Sequence, residues 1–316
     1  MTTIQINPPA SGPLAPAAPA LYRAETILLT LILGLVLASV LISEQTGQAI
    51  SWHGFGIGFF PAAGLLVLGL YARVIKGLTM LAHLAIANAI YIGFSGVIAI
   101  FIYLRFPIST PMIDPTLMRI DAALGYSWPG MVAWLAQYPT LGKVLGLVYL
   151  SSLPQLFALI AILGLARHYD TLHRTLLAGT ISLLATVLFW WVWPSIGPSA
   201  YYDIAPDMAA RIALITDSRF GEGLSYLAAN GVPIIMPGEI IGTIAFPSYH
   251  TVMALLVVWY LRGTPLFWPA ALLNLAMVPA ILIHGGHHLS DMIGGIIAFA
   301  LAAWLAARLV PSNKSA

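Results

Sequence analysis

Two short stretches toward the C-terminal end carry the residues best equipped for chemistry. They are Phe246-Pro247-Ser248-Tyr249-His250-Thr251 and His284-Gly285-Gly286-His287-His288-Leu289-Ser290-Asp291. Both sit at the ends of apolar runs long enough to cross a bilayer, where ionisable residues are costly and by default mark a functional site. His287 and Asp291 are spaced i, i+4, on one helical face, so the carboxylate can hold the imidazole in a chosen tautomer. His250 opens a different helix and supplies a second imidazole. Two histidines with an orienting acid, in a chain without cysteine, suggest phosphoryl transfer through a histidine. In-line displacement at phosphorus needs a positioned nucleophile, a proton for the leaving oxygen and neutralisation of the equatorial oxygens. His287 with Asp291 fits the nucleophile and His250 the general acid, a step worth about two to four orders of magnitude in rate. Ser248 and the backbone N–H groups at its helix start suit the phosphate oxygens.

These residues must be positioned by an apolar scaffold. The chain has 316 residues, 60% hydrophobic and only 8% charged, against about a quarter charged in soluble domains, so an integral membrane protein is expected. The expected fold is all-α: a polytopic helical bundle of about eight transmembrane helices, with spans near 26–43, 57–72, 81–104, 143–166, 175–193, 247–262, 265–284 and 287–309. Pairing of backbone polar groups inside lipid favours helices throughout, although the tract Phe55-Gly56-Ile57-Gly58-Phe59-Phe60-Pro61 is also compatible with a re-entrant turn. The expected organisation is a disordered cytoplasmic tail over 1–20, N-terminal transmembrane helices over 21–104, and an interfacial segment over 105–142. A transmembrane catalytic core follows over 143–312, including a long outer loop, 194–246. Residues 117–124 read as one short amphipathic helix lying on the membrane surface.

Orientation follows from the basic residues. With the N-terminus inside, the short inner segments hold eight Lys or Arg and the longer outer ones five, while nine of the eleven acids fall outside. By the positive-inside rule the termini are cytoplasmic and both histidine clusters face out, on the extracytoplasmic side of a plasma membrane (the inner, periplasm-facing one in a bacterium). A net charge of +2 gives no reason to expect nucleic acid as a partner.

Pro247-Ser248-Tyr249-His250 resembles the second signature of the type 2 phosphatidic acid phosphatase (PAP2) superfamily, and His287-x-x-x-Asp291 the end of its third. The local forms are most similar to the branch of inositolphosphotransferases, such as inositol phosphorylceramide synthases, and their bacterial relatives. The resemblance covers roughly the last 120 residues and is weaker over 114–134. It implies a metal-independent mechanism with a phosphohistidine at His287, Asp291 as its orienting partner and His250 as acid, without cofactor. The implied substrate is a phospholipid or other lipid-linked phosphate in the bilayer. Water as acceptor makes a phosphatase, and a polyol or lipid alcohol makes a phosphotransferase. The first signature, a Lys followed by Arg-Pro, has no counterpart: Trp193-Pro194-Ser195-Ile196-Gly197-Pro198 stands in its place. Arg211, Arg219 and His284 are therefore the candidates for holding phosphate.

Duller readings accompany each residue. His284 suits a polar helix end, His288 is expected to point away from His287 at the interface, and Asp114 and Asp121 to be solvated or paired with Arg119. His53, His83, His168 and His173 read as structural. Among rival functions, a di-iron oxygenase suggested by His284-x-x-His287-His288 fails on ligand count, since only eight histidines exist and four are scattered. A single zinc on His250, His284, His287 and Asp291 remains an alternative. A proton-coupled transporter or flippase is the rival of another class, though its polar residues would be expected at mid-membrane rather than at one face.

Overall fold

The computed structural model describes residues 19–311. All but the last two residues of the expected tail, and Lys314, lie outside the described residues. Thirteen α-helices follow one another among the described residues, and the fold is a polytopic membrane helical bundle. Three long apolar helices come first: α1 (Arg23–Thr46), α2 (Trp52–Val74) and α3 (Thr79–Tyr103). Ser51 caps α2 by accepting a hydrogen bond from the Gly54 N–H, and the helix runs unbroken through Pro61. The glycine-rich tract is thus part of a continuous helix and does not turn back.

Three shorter helices cross one end of the bundle: α4 (Asp114–Ala123), α5 (Trp128–Leu135) and α6 (Pro139–Leu150). The expected single amphipathic helix is therefore accompanied by a second, since Ser127 caps α5 through the Gly130 N–H. α6 continues into α7 (Ser152–Leu165) with a bend of 47°. Pro154, in the first turn of α7, offers no N–H to the carbonyl of Leu150, which accounts for the break. Next come α8 (Tyr169–Val192), then α9 (Pro206–Ile212) and α10 (Ser218–Asn230) inside the expected outer loop. The chain ends with α11 (Tyr249–Tyr260), α12 (Phe267–His284) and α13 (Leu289–Leu309). A two-residue parallel pairing of Ala49–Ile50 with Ile234–Ile235 ties the loop after α1 to the segment after α10.

Six of these helices are long and apolar enough to span, and the bent α6–α7 pair is long and apolar enough for a seventh when taken as one broken span. The remaining expected span, α11, has twelve residues, about 18 Å at 1.5 Å per residue, and cannot cross a 30 Å hydrocarbon core alone. Its N-terminus is level with that of α13, bonded to it through the Ser248 N–H and the Asp291 carbonyl, so the helix falls short at its other end.

Four apolar clusters hold the bundle, of which two concern the site. One joins α1, α3, α7, α8, α11 and α13 through Leu28, Ile90, Leu163, Leu177 and Val252, all essentially without solvent exposure. The other joins α5, α6, α9 and α12 through Val132, Leu135, Ile212 and Ile283. Packing of apolar side chains fixes these helices relative to each other. Alternation of helix direction is visible in the contacts at the opposite end. There His173, near the start of α8, reaches Glu25 at the start of α1, and Arg174 donates to the carbonyl of Val310 after α13. Both described chain ends thus share the end of the bundle remote from His287.

Candidate active site

The turn between α12 and α13 presents the first histidine. Gly286 has φ +58°, a left-handed conformation that glycine adopts without a Cβ penalty, and reverses the chain at that point. Tyr126 donates to the His287 carbonyl at 3.1 Å, and Trp128 to the Ile283 carbonyl at 3.2 Å, so the short helices α4 and α5 pin this turn from outside. Asp291 stands in the first turn of α13, where exposed backbone N–H groups favour an anion.

His287 Nδ1 lies 2.9 Å from Asp291 Oδ2, with both side chains buried. The same carboxylate oxygen accepts the backbone N–H of His288 at 2.8 Å. Because the carboxylate only accepts, the proton of neutral His287 sits on Nδ1 and the lone pair of Nε2 is presented on the other side of the ring. That lone pair faces Ser248 Oγ at 3.4 Å. Ser248 is the N-cap of α11, accepting from the Thr251 N–H, and its own N–H donates to the Asp291 carbonyl at 2.9 Å. The starts of α11 and α13 are thereby stitched together. A Cβ on Gly295 would strike the Ser248 carbonyl, so this glycine permits the close approach of the two helices. His250, in the first turn of α11, has its ring centroid 5.8 Å from that of His287 in an edge-on arrangement, and Tyr149 of α6 stacks on it at 4.4 Å.

Sequence reasoning placed three residues at the periphery that the structure makes central. His288 is fully buried, not interfacial: its Nδ1 lies 2.7 Å from Asp121 Oδ2 and its Nε2 3.5 Å from Asp114 Oδ1. Asp114 and Asp121 are correspondingly buried rather than solvated, and they pair with His288, not with Arg119. Burial alone would lower the pKa of His288, but the facing carboxylates overcome this and raise it to about 9, leaving an imidazolium at neutral pH. Asp114 also accepts from Ser195 Oγ at 2.9 Å and from the N–H groups of Ile196 and Gly197. It therefore ties down the stretch that occupies the place of the missing first signature. The i, i+7 spacing of Asp114 and Asp121 on one helix was the available signal. It identifies a shared face but not what that face meets.

A cavity of about 480 Å³ opens against His250 and His287. Thr216, from the loop between α9 and α10, lines it with a buried hydroxyl that has no partner. Thr243 and Ala245, also from the outer segment, close the same side. The proposed phosphate-binding cations are elsewhere. Arg211 is exposed on α9, 3.6 Å from Asp207, and Arg219 is exposed at the start of α10. His284 turns its Nε2 to the Gly142 carbonyl at 2.9 Å. Neither arginine nor His284 lines the cavity, and among the described residues no lysine or arginine does. Nor does the structure gather His284 with His250, His287 and Asp291 as one metal-ligand set. The group of three that it does bring within ligating distance is Glu25, His83 and His173 at the opposite end.

His250 in the first turn of α11 and the His287–Asp291 pair at the start of α13 thus stand side by side, 39 residues apart in sequence for Ser248 and His287. Comparison with curated proteins and with solved structures returned no match. A family model described as the PAP2 superfamily matches residues 115–305, a segment that begins within α4, ends within α13 and contains both histidine motifs. With more than half of its length matched, the chain belongs to the PAP2 superfamily.

Proposed function

We propose that this protein transfers the phosphoryl group of a lipid-linked phosphate through a phosphohistidine on His287. The observation that carries the reading is the His287 ring itself, held at Nδ1 by a buried Asp291 with its Nε2 lone pair directed at a cavity shared with His250. PAP2 membership points to phosphatase or phosphotransferase chemistry on phosphate esters, and the membrane-spanning helices fit a substrate held in the bilayer. In the first step Nε2 bonds to phosphorus, the bond to the leaving oxygen breaks, and that oxygen takes a proton from the His250 imidazolium, a form that burial alone disfavours and the negative charge of a bound phosphate favours. In the second, water or an alcohol attacks the phosphoryl group, giving its proton to His250 and releasing Nε2. Asp291 steadies the imidazolium character that develops on His287. With no lining arginine, the candidates to bind phosphate oxygens are the unpartnered Thr216 hydroxyl that lines the cavity and the Ser248 hydroxyl beside His287 Nε2.

Transfer to an alcohol, as in the inositolphosphotransferase branch, is favoured over hydrolysis by the cover that the outer segment places on the cavity, since shielding a covalent intermediate from water is what a transferase requires. The test is direct. A phosphoenzyme, labile to acid and stable to base, should form in the wild type and vanish in His287→Ala. Turnover should survive EDTA, and product analysis with and without polyol or lipid alcohols separates phosphodiester from free phosphate. Loss of turnover on chelation, restored by one metal, rules the mechanism out. The charge distribution supports an extracytoplasmic site with cytoplasmic termini. A cysteine at Ser225 should then label from outside intact cells, and labelling only after permeabilisation reverses the orientation.

A further inference from the structure

The cavity does not stop at the histidines. It continues into the bundle along one face of α3 and one of α8, lined by Ile90, Phe94 and Ile98 on the first and Thr175, Gly179 and Leu183 on the second. Each trio is spaced i, i+4, i+8, so the two walls run parallel to their helix axes for about 12 Å at 1.5 Å per residue. Its walls are apolar for most of this length, and the volume is far above the water-sized voids that a packed interior tolerates. Thr216, His250 and His287 face the cavity at the histidine end, and the hydroxyls of Ser95, Thr175 and Thr180 are scattered along its otherwise apolar walls.

The same cavity also reaches the flank of the bundle. Ser95 of α3 and Leu153 of α7 both line it and are both exposed on the outside, Leu153 to 55%. α3 and the bent α6–α7 pair are membrane-spanning segments, so this opening faces hydrocarbon. Next to it, the Tyr91 and Phe157 rings close the seam edge to face at 4.6 Å.

We propose that this cavity is a tail slot. One apolar chain of the substrate enters sideways from the bilayer between α3 and α7 and lies along α8, leaving its phosphate at His287. The phosphate end of this statement rests on the phosphoryl-transfer reading, and the tail end does not. A volume of about 480 Å³ falls within the range of roughly 300–1,000 Å³ typical of sites for one small ligand, which suits a single chain and not a diacyl pair. The slot then makes chain length a determinant of specificity, because a longer chain buries more apolar area only until the floor near Thr175 is reached.

Gly179 gives the means to test it. A Cβ there would meet Leu256 at 3.4 Å and Tyr249 at 3.7 Å, ordinary contact distances, so a first side-chain carbon fits at this wall position, and the further bulk of Gly179→Leu narrows the slot. In the full-length protein, a long-chain alkyl phosphate with a diazirine at its tail end should crosslink to segments 90–98 and 175–183. Gly179→Leu should suppress these adducts. The ratio of kcat/KM for long-chain over short-chain alkyl phosphates should fall about tenfold in the same variant, by removal of apolar contact area. Ser95→Trp, at the entrance, should lower the same ratio. Adducts confined to the outer surface, or equal losses for short and long chains, overturn the slot. Crosslinking along α3 and α8 without turnover of any phosphate ester leaves the slot standing and removes the phosphoryl-transfer reading instead.

Discussion

Two buried clusters of charged residues lie at opposite ends of the bundle, and they differ in how completely their polar atoms are used. At one end Glu25 receives both terminal nitrogens of Arg73, at 2.6 and 2.8 Å, the Tyr22 N–H at 2.8 Å and His173 at 3.3 Å. The Tyr22 ring covers the guanidinium at 4.7 Å, and His83 stacks on Tyr169 at 3.8 Å. Only Arg73 Nε is left without a partner there. At the other end Asp291 Oδ1, Ser290 Oγ and Thr216 Oγ1 are all buried without partners, and His287 Nε2 has only the long contact to Ser248. A buried unpaired polar group costs about 1–3 kcal/mol, so the second cluster carries a cost that the first largely avoids. Both ends use histidine and carboxylate. What separates the clamp from the proposed active site is the set of buried atoms without partners, and a cavity beside them.

That contrast is open to being broken. The largest effect should come from His287→Ala, which removes the proposed nucleophile and should abolish turnover of lipid and aryl phosphates alike, with folding retained. Asp291→Asn keeps the shape but not the tautomer, and by analogy with other orienting carboxylates should cost about 10⁴ in kcat. The companion change at the other end, Glu25→Gln, should leave activity per folded molecule within about twofold. It strands the Arg73 guanidinium, and breaking a buried pair costs about 3–5 kcal/mol, visible as loss of the folded fraction on heating in detergent. If Glu25→Gln instead slowed turnover of correctly folded protein, the two ends would not be functionally separable.

A smaller effect concerns pH. The pKa of His288 is raised in the folded state to about 9 from an ordinary value of 6.5, so its ion pairs contribute stability fully below about pH 6.5 and lose it as pH rises through about 9. Heat stability of the wild type should decline across that window, and His288→Gln should flatten the decline. A profile in which the variant declines as steeply as the wild type would remove His288 from the account.

Legibility in the sequence followed the range of the interactions. The i, i+4 pair His287 and Asp291 was readable because a helix brings those positions together whatever surrounds it, and Ser248 because an N-cap is a local matter. The apolar spans were readable from composition, and the short α11 was the exception, since its ends depend on neighbouring helices rather than on lipid. The Asp114–His288–Asp121 cluster was not readable. Its members are separated by 167 residues in the case of His288 and Asp121, and a carboxylate on a short polar helix gives no sign of whether it meets water or an imidazole. Arg211 and Arg219 were chosen for charge and for their outer segment, but the fold exposes both side chains.

By itself the sequence determined that the chain is a helical membrane protein, that one helix start carries a histidine held by its own acid, and that a second histidine opens another helix. These are consequences of hydropathy, helical period and capping, all of which act within a few turns. Tertiary structure alone decided that the two helix starts touch, through the bond from the Ser248 N–H to the Asp291 carbonyl, and that His288 is buried as a cation between two acids. It decided as well that an apolar slot leads from the histidines to the flank of the bundle. Each of these depends on how helices distant in sequence pack, and packing is settled by the shape of whole faces rather than by any local pattern of residues.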